Sequence, residues 1–460
     1  MVLVISQQTF DEAVQENMND LGLSQEEAVA EAIAQFESQG VDLSQIITDP
    51  ESFRNLSATI KKLAEFQDKR LTPECIELLH ALKKECDKGL PHRVQAGKDG
   101  AYNVILDILL KSHAQKDITE AAIKAMVSLM TKQPDLLDER GVLVILSNLD
   151  KGEPETQRFV LKWCKECCVM HEMNRQKLIE LNIVNKLSKL LKEGNSHILR
   201  DTLLVLRALT LDDDVRVEFG RAHEHARIIA TETLTPLIGL IQKFQAEDIL
   251  VNDLILTLSA LLVRNEFCKQ VDEVGGIELI SEVVTAFLNN DKVVRQCFKF
   301  LKALAGNDEC KVHIIQKGLA PIISDALNAH QDNVPTAVGG LSCVAALCLR
   351  SPDNSKALFE AALPEVIIAI MKKHPNDKLV QKTASWAIRN MVSRSRYQNG
   401  HFLELGVEEL LKNNLVKFKE FEYDTKAALR DLEVKVDLKE EWTGKGGKIT
   451  SGTSLSMDRK

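Results

Sequence analysis

One marker returns about every 42 residues along this chain: a small or polar residue, then an apolar one, with apolar side chains again four and five places on. It stands at Gly100-Ala101, Gly141-Val142, Asn182-Ile183, Thr233-Leu234, Gly276-Ile277, Gly318-Leu319, Ala362-Leu363 and Gly406-Val407, at intervals of 41, 41, 51, 43, 42, 44 and 44. Within each interval the apolar residues keep a helical 3.6-residue period. A unit that short cannot bury its own apolar faces, so it must stack on its neighbours. The pattern predicts an all-α chain, a right-handed α-solenoid of about eight units, most of it accessible surface.

Each unit reads as three helices. The first is short, and Asn174, Asn265, Asn307 and Asn354 are suited to N-cap it. The marker makes a sharp corner, where glycine adopts positive φ. The second helix places apolar residues at +1, +4, +5 and +8 from the marker. The third is longer and more apolar, as in 296–305 and 382–392, which implies burial between neighbouring units.

Residues 1–54 read as a helical N-terminal extension. Thr9 with Glu12, and Ser24 with Glu27, have the spacing of capping boxes, and Gly40 is placed to end the second helix. The apolar residues Ala28, Ile33 and Phe36 do not make one stripe, which leaves this segment to pack with a partner or against the solenoid. The solenoid is expected over 55–436. It opens with cap helices at 55–69 and from Thr72-Pro73-Glu74 to residue 86. A Gly-, Lys- and Ser-rich flexible tail is expected over 437–460.

Composition narrows the function. The net charge of −9 argues against nucleic-acid binding by bulk attraction. No basic, apolar leader opens the chain, and no apolar run approaches the roughly 18–20 residues of a membrane span. The ten cysteines are scattered over apolar helix positions, which suits reduced thiols in the cytoplasm, with the nucleus also admissible. Cys164, Cys167 and Cys168 share one helix, and no second pair follows at zinc-ligand spacing. There is no phosphate-binding glycine loop, nucleophile elbow or HExxH. Neither an enzyme nor a cofactor is expected.

Three helices per unit with a corner glycine resemble armadillo repeats over about 70–436. Longer stretches resemble the armadillo repeat-containing protein 6 family. They include 35–44, Gln133-Pro134-Asp135-Leu136-Leu137-Asp138, Arg264-Asn265-Glu266-Phe267-Cys268, Ala427-Ala428-Leu429-Arg430-Asp431-Leu432 and Trp442-Thr443-Gly444. The armadillo resemblance implies a concave groove in which a Trp and an Asn four residues apart on third helices grip an extended peptide. Here the pair survives once, as Trp386 and Asn390. The other Asn sites hold Ser128, Glu166, Ala208, Ala260, Ala303, Ala346 and Asp431. Trp386 also fits a packing residue.

Beside the former Asn sites runs a basic row: Lys165, Arg207, Lys302, Arg389 and Arg430, with Lys162 and Lys299 one turn before such a site. It suits an acidic or phosphorylated segment. A solvated face with intrachain partners is the alternative. The fourth unit carries an insertion of about nine residues. Asp212, Asp213 and Asp214 read as helix caps or partners of Arg216, and Phe219, His223, His225 and Arg227 as a weaker binding loop. Histidines two apart on a helix face different ways, which argues against a metal site. The expected function is a non-catalytic scaffold or adaptor that binds a protein or peptide segment, with no small-molecule substrate. A nuclear-transport or chaperone-like carrier that cradles a folded client is the alternative. A nucleic-acid-binding solenoid is a remote third.

Overall fold

In the computed structural model, residues 3–67, 70–112 and 115–436 are described, so the expected tail at 437–460 lies outside them. The chain divides into two compact units, Met1–Gly276 and Ile277–Lys460. Each is a stack of helices of the α-solenoid kind.

The first unit opens with a helical hairpin, Gln7–Leu21 and Gln25–Ser38. Ser6, not Thr9, caps the first helix, and its hydroxyl accepts from the Thr9 N–H. The Ser24–Glu27 capping box forms as expected, and Gly40 takes φ +72° just past the second helix. The hairpin packs on itself around Phe10, Val14, Ala28, Ala32 and Ile46, so it has a core of its own. A parallel strand pair, Leu3–Val4 against Val41–Asp42, closes its ends. Gln7 clamps the same end, since its amide donates to Ile47 O and accepts from Ile47 N–H, both at 2.8 Å. The helix expected at 55–69 starts earlier and runs Pro50–Ala64. Asp49 caps it and Pro50 occupies its first turn, where a missing N–H costs nothing.

The third helices form the spine. In the first unit they are Lys116–Met130, Pro154–Cys168, Ser196–Ala208 and Asp248–Leu261. In the second they are Asp291–Leu304, Val334–Cys348, Lys378–Val392 and Glu422–Asp431. Within each unit every third helix packs on the next, and Pro73–Asp87 packs on the first of them as a cap. Leu301, Phe298, Leu341, Val344, Ile388 and Met391 are fully buried in this stacking. Burial of one such side chain is worth about 1.5–3 kcal/mol.

Five markers are corners at positive φ, Gly100, Asn182, Gly318, Ala362 and Gly406; at Gly276 the corner falls one residue earlier, on Gly275, and Gly276 opens the helix Gly276–Ala286. Two further markers lie inside helices. Gly141 lies inside the helix Glu139–Lys151, where a Cβ would collide with the Tyr102 hydroxyl. Close approach, not backbone freedom, is what requires glycine there. Thr233 lies inside one continuous helix, Ala222–Lys243, in which the first two helices of the unit have fused. Its hydroxyl donates to Ile229 O at 2.7 Å, and no residue free to adopt positive φ interrupts the turn.

The first-helix asparagines differ from expectation in a similar way. Asn307 does N-cap its helix, accepting from the Glu309 and Cys310 N–H groups. Asn174 and Asn354 are instead buried clamps between repeats. Asn174 donates to Pro134 O and Cys167 O, and Asn354 to Lys311 O and Leu347 O. Asn265 is the first residue of its helix, preceded by Arg264 at the cap. All ten cysteines are buried free thiols, and burial pushes Cys75 up to about 11.

The corners yield a direct test. Ala362 sits at φ +60°, where an L side chain is strained by roughly 1–2 kcal/mol. Part of that is offset in a glycine variant by the greater freedom of its unfolded chain. Ala362→Gly is therefore expected to stabilise the protein by about 0.5–1 kcal/mol. Urea denaturation checks this, and a variant less stable than the parent contradicts the strain assigned to the corner.

Candidate partner-binding surfaces

Third helices leave one face uncovered, and the basic residues of the sequence row other than Arg207 stand on it. In the first unit Lys162 lies over the ring of Phe159 at 5.2 Å, and Lys124 over the same ring at 4.7 Å. Lys165 Nζ is 2.8 Å from Glu166 Oε1. Arg207 is largely enclosed, with 17% of its side chain exposed. It donates to Asp253 O at 3.1 Å and Thr257 Oγ1 at 2.7 Å. Burial lowers its pKa and the nearby Asp253 works against that shift. Arg207 thus ties one third helix to the next.

In the second unit a shallow groove of about 310 Å³ gathers Lys302, Trp386, Arg389 and Asn390 around a floor of Ser342, Ala345, Ala346 and Leu349. The indole of Trp386 is 36% exposed, with Lys382 Nζ 4.8 Å above it. The Asn390 amide donates to Ala345 O at 2.8 Å, so one of its hydrogens serves the stack itself. Arg389 Nε is 3.7 Å from Asp431 Oδ2, and Arg430 contacts Asp431 Oδ1 at 2.9–3.0 Å. Lys299 and Lys302 are exposed and form no ion pair among the described residues.

The difference lies in the residue that replaces asparagine. Glu166 stands beside Lys165, and Asp431 beside Arg389 and Arg430, so these cations have an acid built in. Ala303 stands beside Lys302, and no acid does. The acids at the former Asn sites were visible in the sequence. Their pairing with the neighbouring row was the signal not used.

The insertion is a docked loop. Asp213 Oδ2 accepts from Met170 N–H at 3.0 Å and Asp214 Oδ2 from Glu172 N–H at 2.9 Å, so Asp214 takes the first N–H of the preceding repeat's helix Glu172–Glu180 and Asp213 holds the chain leading into it, with His171 at the N-cap. Arg175 is fully buried beneath them. It binds Glu172 at 2.9 Å, Asp213 Oδ1 at 2.6 Å and Cys168 O at 2.7 Å. Arg216 closes the loop onto Asp214 at 2.8 Å and Asp135 at 2.7 Å. The hydrogen bonds from Arg216 hold the Asp214 carboxyl well below the usual carboxylate range.

Of the four loop residues singled out from the sequence, Phe219 is 82% exposed, and His223 and Arg227 line an open pocket. His225 points the other way. It is buried, and its Nδ1–H donates to Leu209 O at 3.1 Å. Among the described residues no group of three His, Cys, Asp or Glu side chains could hold a metal ion. None of their helices is long and apolar enough to cross a membrane.

Comparison with known proteins supplies the remaining context. Residues 56–451 match the family described as ARMC6, and residues 3–65 match the armadillo repeat-containing protein 6 N-terminal domain. The chain is 41% identical over 457 residues to the armadillo repeat-containing protein 6 homolog of Drosophila melanogaster, covering 96% of this chain and 98% of that protein. It is 32% identical over 469 residues to armadillo repeat-containing protein 6 of Homo sapiens, covering 97% and 94%. Among solved structures, an engineered protein from a structural genomics consortium matches 94% of this chain and 100% of its own, at 16% identity and a TM-score of 0.70. That likeness concerns the fold alone.

Two outcomes test the docked insertion. Asp213→Ala leaves the buried Arg175 with a single carboxylate, and is expected to cost about 3 kcal/mol in urea denaturation. A loss under about 1 kcal/mol would show that the pair is idle. The second test is pH. Because the Asp214 pKa is lowered on folding, its stabilisation is complete above its ordinary value near 3.8 and disappears as pH falls through the lower folded value. The difference in melting temperature between wild type and Asp214→Asn should therefore be constant at about pH 5–7 and shrink only below about pH 4. A difference that instead shrinks between pH 7 and pH 5 contradicts this assignment.

Proposed function

Because the chain belongs to the armadillo repeat-containing protein 6 family, within a class of solenoids that are typically protein-interaction scaffolds, we propose that it is a non-catalytic scaffold or adaptor. Its proposed binding element is the uncovered third-helix face of the second unit, where it takes an extended protein segment. The observation that carries this reading is the groove in which Lys302, Trp386, Arg389 and Asn390 converge. Trp386 offers a half-exposed ring to an apolar side chain, and Lys302 with Lys299 offers cations that no carboxylate of the described chain neutralises. Such a face favours an acidic or phosphorylated segment through charge-assisted contacts. In the first unit Lys162 is proposed as a further contact, whereas Lys165 is held by Glu166 and Arg207 serves the stack.

The proposal includes a division of labour along the chain. Residues 1–54 act as an accessory element and 55–436 as the binding solenoid. The protein is proposed to act in the cytoplasm, with the nucleus as a second compartment. No cofactor is invoked.

The test is a charge reversal in the full chain. Lys302→Glu combined with Trp386→Ala should weaken a bound acidic segment at least tenfold and flatten the salt dependence of binding. Both side chains are exposed, so the melting temperature should move little. Unchanged affinity for every partner would show that this face is only solvated.

A further inference from the structure

We propose that the insertion in the first unit is a second docking surface, distinct from the third-helix groove, which takes a protein segment presenting an apolar side chain next to a carboxylate. Two independent observations meet there. The first is a pair of apolar side chains held out in solvent, Val215 at 91% exposure and Phe219 at 82%. Their exposure is not that of a wandering loop. On one side Asp213 and Asp214 are bonded to the backbone of the preceding unit. On the other, the Arg221 N–H donates to Glu172 Oε1 at 2.8 Å. Residues 215–219 are therefore a short arch with both feet fixed. An aromatic side chain presented on a pinned loop loses little freedom on binding, which is the character of an interface anchor.

The second observation is the pocket beside the arch, about 600 Å³ and open. Three arginines line it, Arg221, Arg227 and Arg264, and none of them forms an ion pair among the described residues. Glu224 and Glu266 line it too, and they likewise form no ion pair. Among the arginines and glutamates of the lining, three cations less two anions leave one positive charge. One carboxylate balances it, and a guanidinium fork receives a carboxylate through two parallel hydrogen bonds. The helices Ala222–Lys243 and Asn265–Glu273 both begin at this pocket without a side-chain cap, which adds to its positive potential. An apolar knob beside a singly cationic pocket is thus complementary to an apolar residue adjacent to Asp or Glu.

The experiment uses the full chain and a displayed library of random 12-residue peptides. Peptides are selected on wild type, and then compared as synthetic peptides against two variants. One is Phe219→Ala with Arg227→Glu; the other is the groove variant Lys302→Glu with Trp386→Ala. The expected result is a class of peptides with Asp or Glu within three positions of a bulky apolar residue. That class should lose at least tenfold in affinity on the insertion variant and keep its affinity on the groove variant. Replacing its acid by Gln or Asn should cost a similar factor. If no selected peptide separates wild type from the insertion variant, the proposal is wrong. It is also wrong if the peptides that do separate them carry no acid, or if a phosphoserine at that position binds more than tenfold tighter than Glu. Peptides lost only on the groove variant would support the reading of the second unit and overturn this one.

Discussion

A helix with a broad apolar face cannot leave that face in water. The third helices of this chain carry such faces, as with the fully buried Phe298, Leu301, Leu341 and Val344, and the rest of the structure follows from covering them. Within each unit they cover one another in sequence order, so stability is shared between neighbours and no single core grows. The N-terminal end of the row is closed by Pro73–Asp87, which packs on Lys116–Met130. What remains uncovered is one strip per third helix, where exposed cations such as Lys299 and Lys302 stand.

How far this was legible in the sequence depended on the kind of force at work. Apolar periodicity is local and repeats, so the three-helix units and the all-α class could be read directly. Corners were readable where a residue has to adopt positive φ, as at Gly318 and Gly406. They were not readable at Gly141, where glycine answers to the Tyr102 hydroxyl from another helix. Asn174 and Asn354 show the same limit. A buried amide that bridges two repeats and a surface N-cap look identical as letters, because the difference lies in a carbonyl some 40 residues away. In the N-terminal hairpin no single helix shows a clean stripe, because two short helices and Ile46 share one small core.

Electrostatics were least legible, because a charge means different things according to its neighbour. Arg207 and Lys302 occupy equivalent positions in the sequence row. One is enclosed by Asp253 and Thr257. The other stands exposed beside an alanine. A charge held by an internal carboxylate gains little on meeting a partner and leaves an unpaired acid behind if it is pulled away. An unpaired surface charge has no such loss, so it is better placed to recruit a ligand. The acids at the former Asn sites, Glu166 and Asp431, thus divide the row into cations already neutralised and cations still available.

The insertion applies the same logic in the opposite sense. Its interior is spent on holding itself: the buried Arg175 and Glu172 and the partly buried Asp213 and Asp214 form one bonded set. A buried ion network of this sort is costly to assemble and more costly to break by halves, so it gives a loop one position rather than many. A solenoid gains nothing in stacking from such a loop, since the repeats on either side already cover each other. Nine extra residues that bury a guanidinium in order to present Val215 and Phe219 to water do not lower the energy of the isolated chain through those two side chains. Their exposure lowers the free energy only when something covers them. The rigid base beneath them reduces the ordering entropy that a covering partner has to overcome.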